Sequence, residues 1–407
     1  MQEQLRKYAD LAVRIGVNLQ PGQLLIINAP VEQYAFARLV MELAYEVGAS
    51  EVIIDYTDDE ATKGRFLHSD NFDAFPSWKV DRIKEWDSKG AAYLKLITEL
   101  PDNLAGVAPE RIAQFSKVRG NALSFHTAKL RSYAIRWGLI VVPNPIWAGK
   151  LFPGDEGAMD KLWQLILQGS RAVGDDPVGN WLNHGEQLVS HVDRLNQHQF
   201  DSLHFSNGLG TDLTVGLPQN HVWIGGAVKG NDKIPFFPNI PTEEIFTAPH
   251  RLRVDGKLVG SKPLIYGGKI IHGFSLTFEA GCIVDFSAES GFDQLAALLD
   301  TDTGTRYLGE IALVASDSPL ARAETLFYNT LFDENTACHL GIGNANPSNL
   351  ENGNQMTGDE REMAGLNTSC MLVNATFGTS DMKVVGIRLG ESEMIIMDKG
   401  SFTLPFE

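Results

Sequence analysis

Four stretches of the chain gather side chains capable of chemistry. Thr242-Glu243-Glu244 follows the Pro-rich stretch IPFFPNIP, which closes at Pro241. Adjacent carboxylates in a loop pinned by prolines offer a hard oxygen ligand and a second acid or base. The same string also reads as a helix start, with Thr242 as cap and both acids in the first turn. Glu310 opens the otherwise aliphatic strand pattern YLGEIALVAS. A carboxylate at the edge of a core needs a bound cation or a basic partner, for which Arg306 would serve. In the third stretch Asp333-Glu334-Asn335 precedes Cys338-His339. Glu334 and His339 are five apart and share no face of a regular helix, unlike the two histidines of H-E-x-x-H. They reach one ion only if a helix begins or bends between them, or they serve two neighbouring ions. His339 alone also reads as a satisfied buried histidine. Cys338 beside it does not argue for a Cys-His dyad, because neighbours on a helix point about 100° apart. The fourth stretch is the strand pattern CMLVNATFG from Cys370. Residues two apart on a strand face one side, so a chelating pair belongs at 372 and 374. Leu372 has no lone pair to donate and Asn374 offers only a neutral carbonyl. Read locally, this is a buried strand.

The elements that must hold these residues fall into two halves. In the first, Leu5, Tyr8, Leu11, Ala12 and Ile15 recur at helical spacing, and a strand-like QLLIINAP follows at 23–30. A helix from Val31 to about Val47 ends at Gly48, and EVIIDYTDD resumes strand character from Glu51. Further continuous aliphatic runs start at Tyr93 and Trp137, which suits strands covered on both faces. Strand-helix-strand order of this kind predicts an α/β domain with a mostly parallel sheet. No G-x-G-x-x-G follows the first strand, which argues against a dinucleotide site. Helical pattern dominates 155–196, broken at Gly174-Asp175-Asp176-Pro177. The domain boundary is placed near 185, giving domains 1–185 and 186–407.

The second half changes character. Asp255-Gly256, Gly267-Gly268 and Ala280-Gly281 punctuate short alternating runs, the pattern of an antiparallel meander with tight turns. Helices are expected at 292–299 and roughly 321–337, and strands near 370–378 and 392–400. The expectation is an α+β C-terminal domain.

A length of 407 residues exceeds what one hydrophobic core usually supports. Thirty-four Lys+Arg against fifty-one Asp+Glu leaves a net charge of −17, which disfavours nucleic acid and anionic membrane surfaces as partners. The longest aliphatic run, Leu139 to Val142, is far short of the roughly 20 residues of a membrane span. The charged N-terminal stretch lacks the core of a secretory signal. Cys282, Cys338 and Cys370 cannot all pair with each other, so a cytoplasmic location with reduced thiols is expected.

Four motifs carry a resemblance. N-I-P-T-E-E-I-F-T-A-P-H (239–250), Y-G-G-x-x-I-x-G-F-S-L-T-F (266–278), G-x-R-Y-L-G-E-I-A-L-V (304–314) and L-F-Y-N-T-L-F-D-E-N-x-x-C-H-L (326–340) closely resemble the aminopeptidase T and aminopeptidase S family. These are bacterial two-metal exopeptidases. The likeness implies short peptide substrates, a homodimer, and divalent ions such as zinc or cobalt, one or two in number. It implies that Glu244, Glu310, Glu334 and His339 are metal ligands, with Glu310 bridging two ions, and that Glu243 is the candidate for proton transfer. Two cations about 3.5–4 Å apart hold a water as hydroxide near neutral pH. The chain also departs from the family pattern. Its His-x-Asp pair corresponds here to Leu372 and Asn374, and its tyrosine after C-H-L-x-x-G to Asn346. Losing an imidazole and a charge is expected to weaken at least one metal site, leaving either an impaired or single-metal aminopeptidase or a silent homologue.

Overall fold

The computed structural model of the chain describes residues 1–69, 71–98, 104, 106–267, 269–323, 325–390 and 393–403. Two compact units emerge, Met1–Leu182 with Ala227–Pro241, and Asn183–Gly226 with Thr242–Glu407.

The first unit is built on a five-stranded parallel sheet. Its order is Asn239–Ile240, Trp137–Val141, Ala92–Ile97, Leu24–Pro30 and Glu51–Thr57. Leu25, Ile26 and Ile27 are fully buried in succession, as expected of a strand covered on both faces. The helix Tyr34–Val47 ends at Gly48, whose φ of 100° is the left-handed cap that stops a helix cheaply only at glycine. A short 3-10 turn, Val31–Gln33, precedes that helix.

The second unit is built on two antiparallel sheets, beside a two-stranded pair of Leu264–Tyr266 with Lys269–Ile271. The larger has eight strands and includes the meander Val254–Val259, Ser275–Glu279 and Cys282–Ser287. Ala280-Gly281 forms its tight turn with φ of 46° and 84°, the primed conformation that matches strand twist. Asp255-Gly256 is no turn. It lies inside the strand Val254–Val259, because Gly256 faces the backbone of Asp212 and Leu213 too closely for any side chain.

The smaller sheet has the order Leu372–Thr376, His339–Gly343, Leu308–Val314, Glu244–Thr247 and Ile224–Gly225. Alternation along these strands sends Ile311, Leu313, Leu340, Ile342 and Ala375 into the main core of the unit. The other face carries Glu310, Ala312, His339 and Asn374.

Two expected helices are corrected. Thr242 caps none, since Glu244 opens a strand that pairs with Leu308–Val314. The helix expected over 321–337 is reduced to a 3-10 turn at Ala321–Ala323 and five residues at Thr330–Glu334. Tyr328 takes a φ of 57°, and Asn329 caps the short helix by accepting from the Phe332 amide at 3.0 Å. Among the described residues, no helix is long and apolar enough to cross a membrane.

Candidate metal centre

Register brings the ligand-type residues together. Phe246, Ala312, His339 and Thr376 lie opposite one another across four strands, and Glu310, Gly341 and Asn374 form the adjacent row. Glu244 pairs with Val314 one step to the other side. Ala312 and Gly341 therefore form a floor of small residues over which longer side chains converge. A Cβ on Gly341 would sit 2.5 Å from Leu372 Cδ1 and 2.8 Å from Glu310 Cβ.

Glu244, Glu310 and His339 each present a ligand atom within 4.8 Å of the others. His339 Nε2 lies 3.3 Å from Glu244 Oε2 and 3.6 Å from Glu310 Oε1, and the imidazole is fully buried. On its other side His339 Nδ1 is 3.3 Å from the Ala337 carbonyl. A proton kept on Nδ1 would free Nε2 to ligate a cation shared with the carboxylates, the arrangement of a histidine that binds metal, whereas without a cation the carboxylates favour the protonated ring.

Glu334 ends its helix and joins the group electrostatically. Burial pushes its carboxyl well above the usual range, and the neighbouring charges of Glu244 and Glu310 add to this. Burial likewise raises Glu310, again helped by Glu244. For His339 burial alone would lower the pKa, but Glu244 and Glu310 hold it well above the ordinary histidine value. One imidazolium cannot balance the three partly buried carboxylates once all are ionised, and among the described residues none of the three pairs with lysine or arginine. Arg306 bonds Asp300 instead and lies over the Phe286 ring.

Glu244 Oε2, His339 Nε2 and Asn374 Oδ1 are all buried without a hydrogen-bond partner. Oxygen acceptors such as Glu244 Oε2 and Asn374 Oδ1, left without a hydrogen bond beside a cluster of carboxylates, are costly unless a cation joins them. Two carboxylate oxygens and an imidazole nitrogen suit zinc, cobalt or a similar ion with an open coordination position. The residues present thus fit one divalent cation.

The replaced positions border the same place. Asn374 Nδ2 donates to Glu334 Oε2 at 3.2 Å. Leu372 covers Gly341 and is 41% exposed, so this strand is not the fully buried one its local sequence suggests. Asn346 is occupied elsewhere, its side chain accepting from the Ser348 amide at 3.0 Å to cap the turn Pro347–Asn349.

Glu243 stands apart from the three converging residues. Its Oε2 is 3.6 Å from His184 Nε2, and His184 also meets the Thr242 carbonyl at 2.7 Å. The Glu243 amide donates to Asn335 Oδ1 at 2.6 Å, while Asn335 Nδ2 holds the Leu331 carbonyl. Glu243 is thereby fixed to the end of the helix that carries Glu334. No spacing in the sequence connects His184 to this site. Cys338 turns to the opposite face, with Sγ 3.4 Å from the Val314 amide. Burial pushes its thiol up to about 11, which leaves no thiolate nucleophile.

Known proteins share both sequence and architecture with this chain. It is 43% identical over 390 residues to aminopeptidase 2 of Geobacillus stearothermophilus, covering 95% of this chain and 94% of that one. It is 38% identical over 406 residues to aminopeptidase T of Thermus aquaticus, covering 99% of each. The structure of wild-type AmpT from Thermus thermophilus superposes with a TM-score of 0.91 at 36% identity, covering 99% of this chain and all of that one. A dioxygenase from Pseudomonas putida KT2440, at 13% identity and a TM-score of 0.55, shares the fold alone, so chemistry has to be argued from the site residues. The profile of the thermophilic metalloproteases, M29, matches residues 1–402, and the chain belongs to that family.

Proposed function

We propose that the chain is a metal-dependent aminopeptidase that releases N-terminal residues from short peptides in the cytoplasm, working as a homodimer with an impaired or single-metal site. The observation that supports this is the convergence of Glu244, Glu310 and His339, each with a ligand atom within 4.8 Å of the others. In this reading Glu244, Glu310 and His339 hold the ion, and Glu334 lends charge from the helix end. A divalent ion so held supplies Lewis-acid polarisation of the scissile carbonyl and a water acidified toward neutral pH. Glu243 serves as proton carrier, taking the proton of the attacking water and passing it to the leaving amine, with His184 fixing its position. The buried walls around His339 exclude bulk solvent and strengthen every charge interaction in the site.

A second reading follows from the hydrogen bond between Asn374 and Glu334. An amide clamped on Glu334 satisfies that carboxylate without a metal, as a silent homologue kept for peptide binding or assembly would require. Metal content by mass spectrometry, measured beside turnover of aminoacyl reporters, separates the two. The enzyme reading expects chelator-sensitive release by the natural chain. Turnover appearing only in a Leu372→His, Asn374→Asp double variant would establish the silent reading and end the first.

A further inference from the structure

The sheet face that carries the candidate ligands is not uniformly polar. Leu372, Asn374 and Thr376 alternate onto it from the outermost strand, since Asn374 pairs with Gly341 and Thr376 with His339. Phe246, opposite Ala312, and Ile224, opposite Phe246, lie on it from the other border. Apolar side chains thus flank the ligands on both sides. Phe246 and Ile224 are half-buried, whereas Leu372 is exposed. A single exposed leucine is ordinary on a protein surface, so exposure by itself carries no weight. Its direction does. A Cβ on Gly341 would meet Leu372 Cδ1 at 2.5 Å and Cγ at 3.3 Å, and Glu310 Cβ at 2.8 Å. The leucine therefore leans inward across the glycine toward Glu310, not away from the sheet edge. Its strand is tied to the ligand group two residues on, where Asn374 donates to Glu334 at 3.2 Å. A hydrocarbon side chain aimed at carboxylates satisfies none of them, yet it stays open to an incoming molecule.

We propose that Leu372 is a specificity-determining residue, the apolar wall against which a branched or long hydrocarbon side chain beside the scissile bond packs. The inference rests on the peptidase reading of the same centre. A substrate whose first carbonyl meets Glu244, Glu310 and His339 lies over the floor of Ala312 and Gly341, with Leu372 at its margin. The α-carbon of the first residue is bonded directly to that carbonyl carbon, whereas the leaving residue's α-carbon follows one atom later, beyond the amide nitrogen. The side chain of the first residue is therefore the favoured source of the apolar group. The leaving residue's side chain is the other.

The test compares initial rates for Leu-Gly-Gly, Ala-Gly-Gly and Ala-Leu-Gly on the full-length, metal-loaded protein. We expect kcat/KM for Leu-Gly-Gly to exceed that of Ala-Gly-Gly by at least about tenfold, the low end of apolar discrimination. Leu372→Asn, close in shape but polar, should collapse that ratio toward one. Leu372→Ala, which adds no polar group, should do the same, and Leu372→Met should keep most of it. An advantage of Ala-Leu-Gly over Ala-Gly-Gly, lost in the same variants, would assign the contact to the leaving residue. Equal turnover of all three peptides, or a preference that survives both Leu372→Asn and Leu372→Ala, overturns the role of Leu372 and leaves the peptidase reading standing. Calorimetry with leucinamide and alaninamide gives a readout independent of turnover. If no peptide is hydrolysed, tighter binding of leucinamide, lost in Leu372→Asn, keeps the apolar contact while the peptidase reading fails. Equal or undetectable binding then removes the contact as well.

Discussion

Replacing Glu310 by glutamine keeps its shape and removes its charge from the middle of the cluster. If these residues hold a cation, Glu310→Gln should lower metal affinity by roughly 100-fold or more, since even the outer partners of metal ligands are worth 10–100-fold. Metal content after dialysis, read by elemental analysis, checks this; full retention would remove Glu310 from the ligand set. Gly341→Ala attacks the same place indirectly. The added methyl must displace Leu372 or Glu310, which approach to 2.5 and 2.8 Å, so metal should be lost although no ligand is altered. Such residues differ in how plainly the sequence announces them. Glu310 stood out because a carboxylate opening an aliphatic strand demands a partner, whereas Glu244, Glu334 and His339 each kept a structural reading of their own and were marked as ligands by the family resemblance. The contact of Asn374 with Glu334 and the pairing of His184 with Glu243 were not announced at all, because both depend on folding distant segments together.

At the level of elements, Asp302 ties the segment leading into the strand Leu372–Thr376 to the turn before Leu308–Val314. Its carboxylate accepts from the Thr305 amide at 3.0 Å, the Cys370 amide at 2.7 Å and Ser369 Oγ at 3.0 Å. Burial alone would raise its pKa, yet these bonds hold it down at about 2. Asp302→Ala should cost about 1–2 kcal/mol, the usual loss for a cap. The sign of the pH effect follows from a folded pKa below the unfolded value of about 3.9. The stabilisation is complete above about pH 4 and disappears as pH falls through 2, so denaturation curves of the natural chain and variant should converge in acid. A constant difference down to pH 2 would refute the assignment. Element types were largely legible because periodicity reports burial. The reading failed where local chemistry outvoted pattern. The helical spacing of 321–337 yields to the Tyr328 backbone and to Asp333, whose oxygens bind the Phe327 and Asn329 amides and make a turn there.

For the whole molecule, each unit has its own buried interior, so heating should resolve two transitions. Chelation should lower only the one belonging to Asn183–Gly226 with Thr242–Glu407. Metal at 100 times its dissociation constant contributes about 2.7 kcal/mol to the state that binds it. Differential scanning calorimetry with and without chelator measures this, and two unmoved transitions would speak against a bound ion in the folded chain.

The two-residue strand Asn239–Ile240 has a consequence for biosynthesis. It completes the edge of the first sheet beside Trp137–Val141, yet the whole segment Asn183–Gly226 of the other unit is made before it. A ribosome that has delivered only the first 182 residues has produced a sheet with an open border at Trp137–Val141, a surface prone to pairing with foreign strands. Nascent chains halted before Pro241 should therefore depend on chaperones far more than those released after it.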